Sequence, residues 1–145
     1  MLKSWICSLF LVAASFLADE GAQSSELAID EVHAVRATVE GQLQAFAKGD
    51  AALAFSFAAP ELQRQFQDAA TFAVMVRNGY PMLVHPASVS FDRPELEDGV
   101  VIQAVRFRDA EGRYWRAFYQ LQRQPDKHWR IGGCAVAADD DASMT

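Results

Sequence analysis

Three turn signals in the second half of the chain do most to fix what it can fold into. Asp98-Gly99 is a two-residue hairpin signal, Ala110-Glu111-Gly112 fits a three-residue loop with glycine at the left-handed position, and Pro125-Asp126-Lys127 is another tight turn. They divide the segment into four strands, over about residues 87–97, 100–109, 113–124 and 128–137. Pro94 places the first strand at a sheet edge or a bulge, because proline has no N–H for a ladder.

Turn length then sets register. With three-residue loops Asp109 faces Arg113 and Gln124 faces His128, and odd-numbered residues share one face across three strands. That face carries Val101, Val105, Phe107, Trp115, Ala117, Tyr119, Leu121, Trp129 and Ile131, so it is the apolar face that helices should cover. Gln103, Tyr119 and Gly133 are expected to line up side by side on it, with Trp115 and Trp129 nearby. These five residues are the pocket candidates, because an apolar surface with a few convergent polar groups is the usual form of a small-molecule site. A core Tyr119–Gln103 hydrogen bond is the structural alternative. The even face carries Ile102, Ala104, Phe118, Cys134 and Val136, with Arg106 opposite Arg116, and these seven are the interface candidates. Like charges directly opposed call for an acidic group from a partner or another segment. The apolar strip suits an isologous homodimer through the outer sheet face.

The first half reads as helices. Ala28, Val32, Val35, Val39, Leu43 and Phe46 recur at spacings of three and four between Ser25, a candidate N-cap, and Gly49. Asp50 can cap a short helix over residues 51–58, Pro60 opens a third, and Asp68 caps a fourth that Gly79 closes, with Tyr80-Pro81 blocking continuation. Helices followed by an antiparallel meander give an α+β fold, with N-terminal helices packed on a curved four-stranded sheet.

Residues 5–18 form an uncharged apolar run behind Lys3. As a helix the run is about 21 Å long, short for a bilayer core of about 30 Å. Residues 1–22 therefore read as a secretory signal peptide with a flexible mature start, residues 25–137 as a single domain, and residues 138–145 as an acidic disordered tail. The expected location is exported, periplasmic or secreted, with no stable membrane insertion after the leader is removed. A formal charge of −6 argues against nucleic acid as a partner.

Chemistry is sparse. The only histidines, His33, His85 and His128, show no metal-ligand spacing on one helix. Cys134 and His128 are six strand positions apart, about 20 Å, too far for a dyad. Gly132-Gly133 does not precede a helix, so no nucleotide loop is present. The reading is no metal, no cofactor and no catalytic residue.

The helix order, the sheet and several local runs resemble a known family. Gln42-Leu43-Gln44-Ala45-Phe46 with Gly49-Asp50, the run 72–81, Gly112-Arg113-Tyr114-Trp115-Arg116-Ala117 and Trp129-Arg130-Ile131-Gly132-Gly133-Cys134 are similar to a bacterial domain-of-unknown-function family, number 4864, in the nuclear transport factor 2-like (cystatin-like) superfamily. The resemblance implies a cone-shaped α+β fold. It also implies a small-molecule-binding or protein-interaction module, with a small, partly apolar ligand or a second copy as partner. The alternative is a small isomerase- or hydrolase-like enzyme, whose acid or base would have to come from Asp92, Glu95 or His85.

Overall fold

The computed structural model describes residues 26–141. The leader expectation and the Ser25 cap fall outside them. Five helices come first: α1 (Ile29–Ala47), α2 (Ala51–Ser56), α3 (Pro60–Phe66), α4 (Ala69–Gly79) and α5 (Pro81–Val84). Strands β1 (Ser88–Phe91), β2 (Glu95–Glu97), β3 (Val100–Arg108), β4 (Tyr114–Arg123) and β5 (Trp129–Ala138) follow. Among the described residues no helix is long and apolar enough to cross a membrane.

Short-range chemistry places the helices. Asp50 accepts from the Leu53 N–H at 3.1 Å and Asp68 from the Thr71 N–H at 2.7 Å, each satisfying an orphan donor of a first turn. Pro60 and Pro81 sit in first turns, where the missing N–H costs nothing, so Pro81 starts α5 rather than only ending α4. The α1 stripe is buried at Val35, Val39, Leu43 and Phe46, whereas Ala28 and Val32 lie nearer solvent. Gly41, costly inside a helix, is explained by the Phe57 ring: a Cβ there would come within 2.5 Å of it.

The sheet is antiparallel and ordered β1-β3-β4-β5, with β2 also on β3. The single first strand expected over 87–97 is two strands. Pro94 and its neighbours interrupt it, and both halves pair with β3 along one edge. All three turns hold. Asp98 (φ 51°) and Gly99 (φ 80°) form the tight hairpin, and Gly112 (φ 85°) and Lys127 (φ 72°) take left-handed positions in three-residue loops. Gln103 pairs with Tyr119 as expected.

One register differs. A bulge between Gln120 and Leu121 lets Leu121 face Ile131 but Gln120 face Gly133, so Tyr119 pairs with Cys134 and not with Gly133. The extra residue reverses the parity of β5 beyond Ile131. Cys134 and Val136, expected on the outer face, therefore belong to the inner one. Gly133 turns outward, where a Cβ would meet Gln120 Oε1 at 3.5 Å. The free edge of β5 is covered at this point: Ala59 N–H donates to the Ile131 carbonyl at 2.7 Å, and Ile131 N–H to that of Phe57 at 2.8 Å. That clamp sets α3 over the inner face.

The core lies between the helices and this inner face, with Val35, Val39, Val101, Val105, Ala117 and Leu121 fully buried. Phe72 is the aromatic centre of the helical layer, its ring 5.3–5.7 Å from those of Phe46, Phe55 and Phe66. Asp139, expected in the solvated tail, is instead buried beside Arg116 at 3.6 Å, and its N–H donates to the Tyr114 carbonyl.

Candidate functional site

A cavity of about 350 Å³ lies between the helices and the bulged half of the inner face. Its walls come from α1 (Gln42, Phe46), α3 (Leu62, Gln65, Phe66), α4 with its C-cap (Phe72, Met75, Val76, Tyr80), and Leu83. Its floor is Tyr119 with Ile131, Gly132, Gly133, Cys134 and Val136 of β5. Each position has a local cause. The Asp68 cap aims α4, and the Ile131 clamp aims α3. Gln63 Nε2 ties α3 back to the carbonyls of Phe55 and Ala58 at 3.0 and 3.1 Å. Gln42 Nε2 donates to the Ala54 carbonyl at 3.2 Å, fixing α2 against α1.

No residue lining this cavity carries a charge. Its polar side chains are Gln42, Gln65 and Tyr80 on the walls and Tyr119 and Cys134 on the floor. Tyr119 is 1% exposed, and its hydroxyl has no hydrogen-bond partner. Such a group costs stability unless something meets it. Its strand neighbour is Cys134. The thiol lies close enough to interact with the hydroxyl but not in hydrogen-bonding geometry. Burial, then the neighbouring thiol, pushes the Tyr119 hydroxyl well above its ordinary pKa, so it is a donor at every physiological pH. Solvent reaches Cys134 through the cavity mouth, yet protein surrounds most of the thiol. That surrounding decides its chemistry. Burial pushes its pKa up to about 12, partly offset by the Tyr119 hydroxyl, so it is a neutral thiol and a poor nucleophile.

The structure separates most of the pocket candidates. Tyr119 and Gly133 line the cavity, Gly133 through its backbone. Gln103 does not, although it pairs with Tyr119. Its Nε2 donates to the Asp92 and Ala104 carbonyls at 2.6 and 2.9 Å, drawing the side chain toward a shallower hollow beside Leu27, Val32, Arg36 and Phe91. The expected Tyr119–Gln103 hydrogen bond is absent, and Gln103 Oε1 is also unpartnered. Trp115 is held away by its Nε1–H bond to Asp109 Oδ2 at 2.9 Å, and Trp129 is core. Asp92, Glu95 and His85 line shallow surface hollows and not the Tyr119 cavity. Among the described residues no cluster of three or more His, Cys, Asp or Glu could hold a metal.

Most of the walls went unread in the sequence. Phe46 lies on α1, Phe66 on α3, Phe72 and Met75 on α4 and Tyr80 at its C-cap, and only the packing of those helices converges them. Cys134 had a signal: consecutive glycines inside a strand pattern mark a bulge.

The outer face is uncovered by helices. Phe118 is 39% exposed there, flanked by Ala104 and Ala135 on the neighbouring strands, with Ile102 on the same face. The opposed Arg106 and Arg116 find their acids within the chain: Asp92 at 3.7 Å and Asp139 at 3.6 Å.

The profile of the family described as Domain of unknown function (DUF4864) matches residues 28–144, nearly the whole described fold. The chain belongs to this family. Among solved structures, this DUF4864 chain is similar to an NTF-2-like protein of unknown function from Silicibacter pomeroyi DSS-3. The two are 16% identical with a TM-score of 0.51, over 79% of this chain and 100% of the other. At that identity the likeness shows the fold, which is nuclear transport factor 2-like. No curated protein matches the chain.

Proposed function

We propose that this DUF4864 domain binds a small, largely apolar molecule in the cavity beneath its helices. One observation carries the reading. The buried Tyr119 hydroxyl is unpartnered on the floor of an uncharged cavity of about 350 Å³, a size within the range of small-molecule sites. A closed core would have filled the space or paired the hydroxyl. Native mass spectrometry of the purified chain tests it. The expected result is a small retained adduct, lost when Val136→Trp fills the cavity. Protein that retains nothing, and whose unfolding temperature no apolar compound raises, contradicts the reading.

A second reading concerns the outer face. Exposed Phe118 with Ile102 and Ala104 supports an isologous homodimer. The internal pairing of Arg106 and Arg116 removes the charge argument for an acidic partner. Cys134 and Val136 leave this surface with the register change. Sedimentation of Phe118→Glu is the check: a dimer dispersed to monomer supports it, and an unchanged species removes it. The isomerase- or hydrolase-like alternative is weakened because Asp92, Glu95 and His85 all stand outside the cavity. Export rests on the leader-like residues 1–18 alone, and the mature mass after periplasmic expression checks it.

A further inference from the structure

The walls and floor of the Tyr119 cavity restrict what it can hold. No lining side chain is charged, so an ionised ligand would lose its hydration without a counter-charge. The apolar walls, with Phe46, Phe66 and Phe72 among them, favour a flat or ring-bearing hydrocarbon body. The floor offers the opposite of a generic greasy surface. Tyr119 carries an O–H with no acceptor, and Cys134 beside it carries a neutral thiol, a second and weaker donor. On the wall, Gln42 commits one amide N–H to the Ala54 carbonyl. The floor therefore presents a hydroxyl donor that has no acceptor, beside a neutral thiol.

Resting on the reading that this cavity is a ligand site, we propose that its ligand is a neutral molecule whose polar group is a hydrogen-bond acceptor, a carbonyl or ether oxygen, seated against the Tyr119 hydroxyl beside Cys134. The hydroxyl then gains the partner it lacks, and Cys134 packs against the same oxygen without reacting. Acids of the same skeleton are excluded by the missing counter-charge, and plain hydrocarbons bind by burial alone.

Three probes on one skeleton separate these terms: tetralin, 1-tetralone and tetralin-1-carboxylate, titrated calorimetrically against the purified chain at pH 8. The tetralone should bind about 3- to 10-fold more tightly than tetralin, the worth of one net hydrogen bond. The carboxylate should bind more weakly than either. In Tyr119→Phe the tetralone should fall to the tetralin affinity, while tetralin itself is unchanged, which also certifies that the variant is folded. Equal affinity for tetralin and tetralone, or an equal loss of both in Tyr119→Phe, overturns the acceptor assignment and leaves the cavity reading standing. Strongest binding of the carboxylate overturns neutrality. Failure of all three probes, with no change in unfolding temperature, overturns the cavity reading and the proposal with it.

Discussion

Asp109 and Tyr119 both stand on the inner face of the sheet, both are shielded from solvent, and the fold treats them oppositely. Asp109 lies at the end of β3, where its own turn wraps its carboxylate with donors. Glu111 N–H (3.0 Å), Arg113 N–H (2.9 Å), Arg113 Nε–H (3.2 Å) and Trp115 Nε1–H (2.9 Å) all reach it. Arg113 also lies over the Trp115 ring, 5.7 Å from its centroid. The Trp115 bond above all, with the Arg113 and Glu111 N–H groups and the Arg113 charge, holds the Asp109 pKa below the ordinary carboxylate value. Tyr119, midway along β4, has an unpartnered hydroxyl and an open cavity beside it. A saturated polar group supports a turn. An unsaturated one beside a cavity departs from the rule that buried polar groups are paired.

The sharpest contrast in magnitude is chemical. With a thiol pKa near 12, Cys134 should be alkylated by iodoacetamide at pH 8 roughly two to three orders of magnitude more slowly than free cysteine. Peptide mass mapping at Cys134 checks this, and a rate close to free cysteine would break the picture of a neutral thiol held among protein on the cavity floor.

Next is the turn. Asp109→Ala strands the Trp115 and Arg113 donors together, and the unfolding temperature should fall by roughly 10 °C in a thermal melt. A drop within experimental scatter would erase the distinction between the two residues. The same site has a definite pH sign. A carboxyl whose folded pKa is depressed contributes stability above its unfolded pKa, and that contribution is lost as pH falls through the folded value. The gap between wild type and Asp109→Ala should therefore be full at pH 6 and close as the pH falls below about 4. A gap constant to pH 2 contradicts the carboxylate's role. Trp115→Phe removes one of the donors and should lower the melt by roughly 5 °C.

The smallest expected effect belongs to Tyr119→Phe. Without ligand it deletes only an unpartnered hydroxyl, so stability should stay within about 0.5 kcal/mol of wild type or rise slightly by urea unfolding. A loss above about 2 kcal/mol would mean that the hydroxyl is already paired, making the two residues alike.

The two sites also differ in how far the sequence announced them. Asp109 opposite Arg113, the Asp50 and Asp68 caps and the Gln103–Tyr119 pairing follow from turn lengths and side-chain reach, which are local properties. The Tyr119 floor depends on a bulge. Strict alternation through Gly132 and Gly133 put Cys134 and Val136 on the wrong face, although paired glycines in a strand signal a break in alternation. The cavity walls lie further still from local rules. Phe46, Phe66, Phe72 and Tyr80 each fit a helix pattern, but their convergence depends on the clamp of Ala59 on Ile131, a bridge between segments far apart in sequence. Gln103 was placed correctly in register and still points elsewhere, because Asp92, on the interrupted first strand, offers its amide a carbonyl.

Whether the Tyr119 cavity or the outer sheet face receives the ligand is decided by a methyl-resolved NMR titration with 1-tetralone. The expected shifts are confined to the cavity methyls of Leu62, Met75, Val76, Leu83, Ile131 and Val136, with Ile102 and Val89 unmoved. Shifts at Ile102 with the cavity methyls silent would contradict the cavity reading.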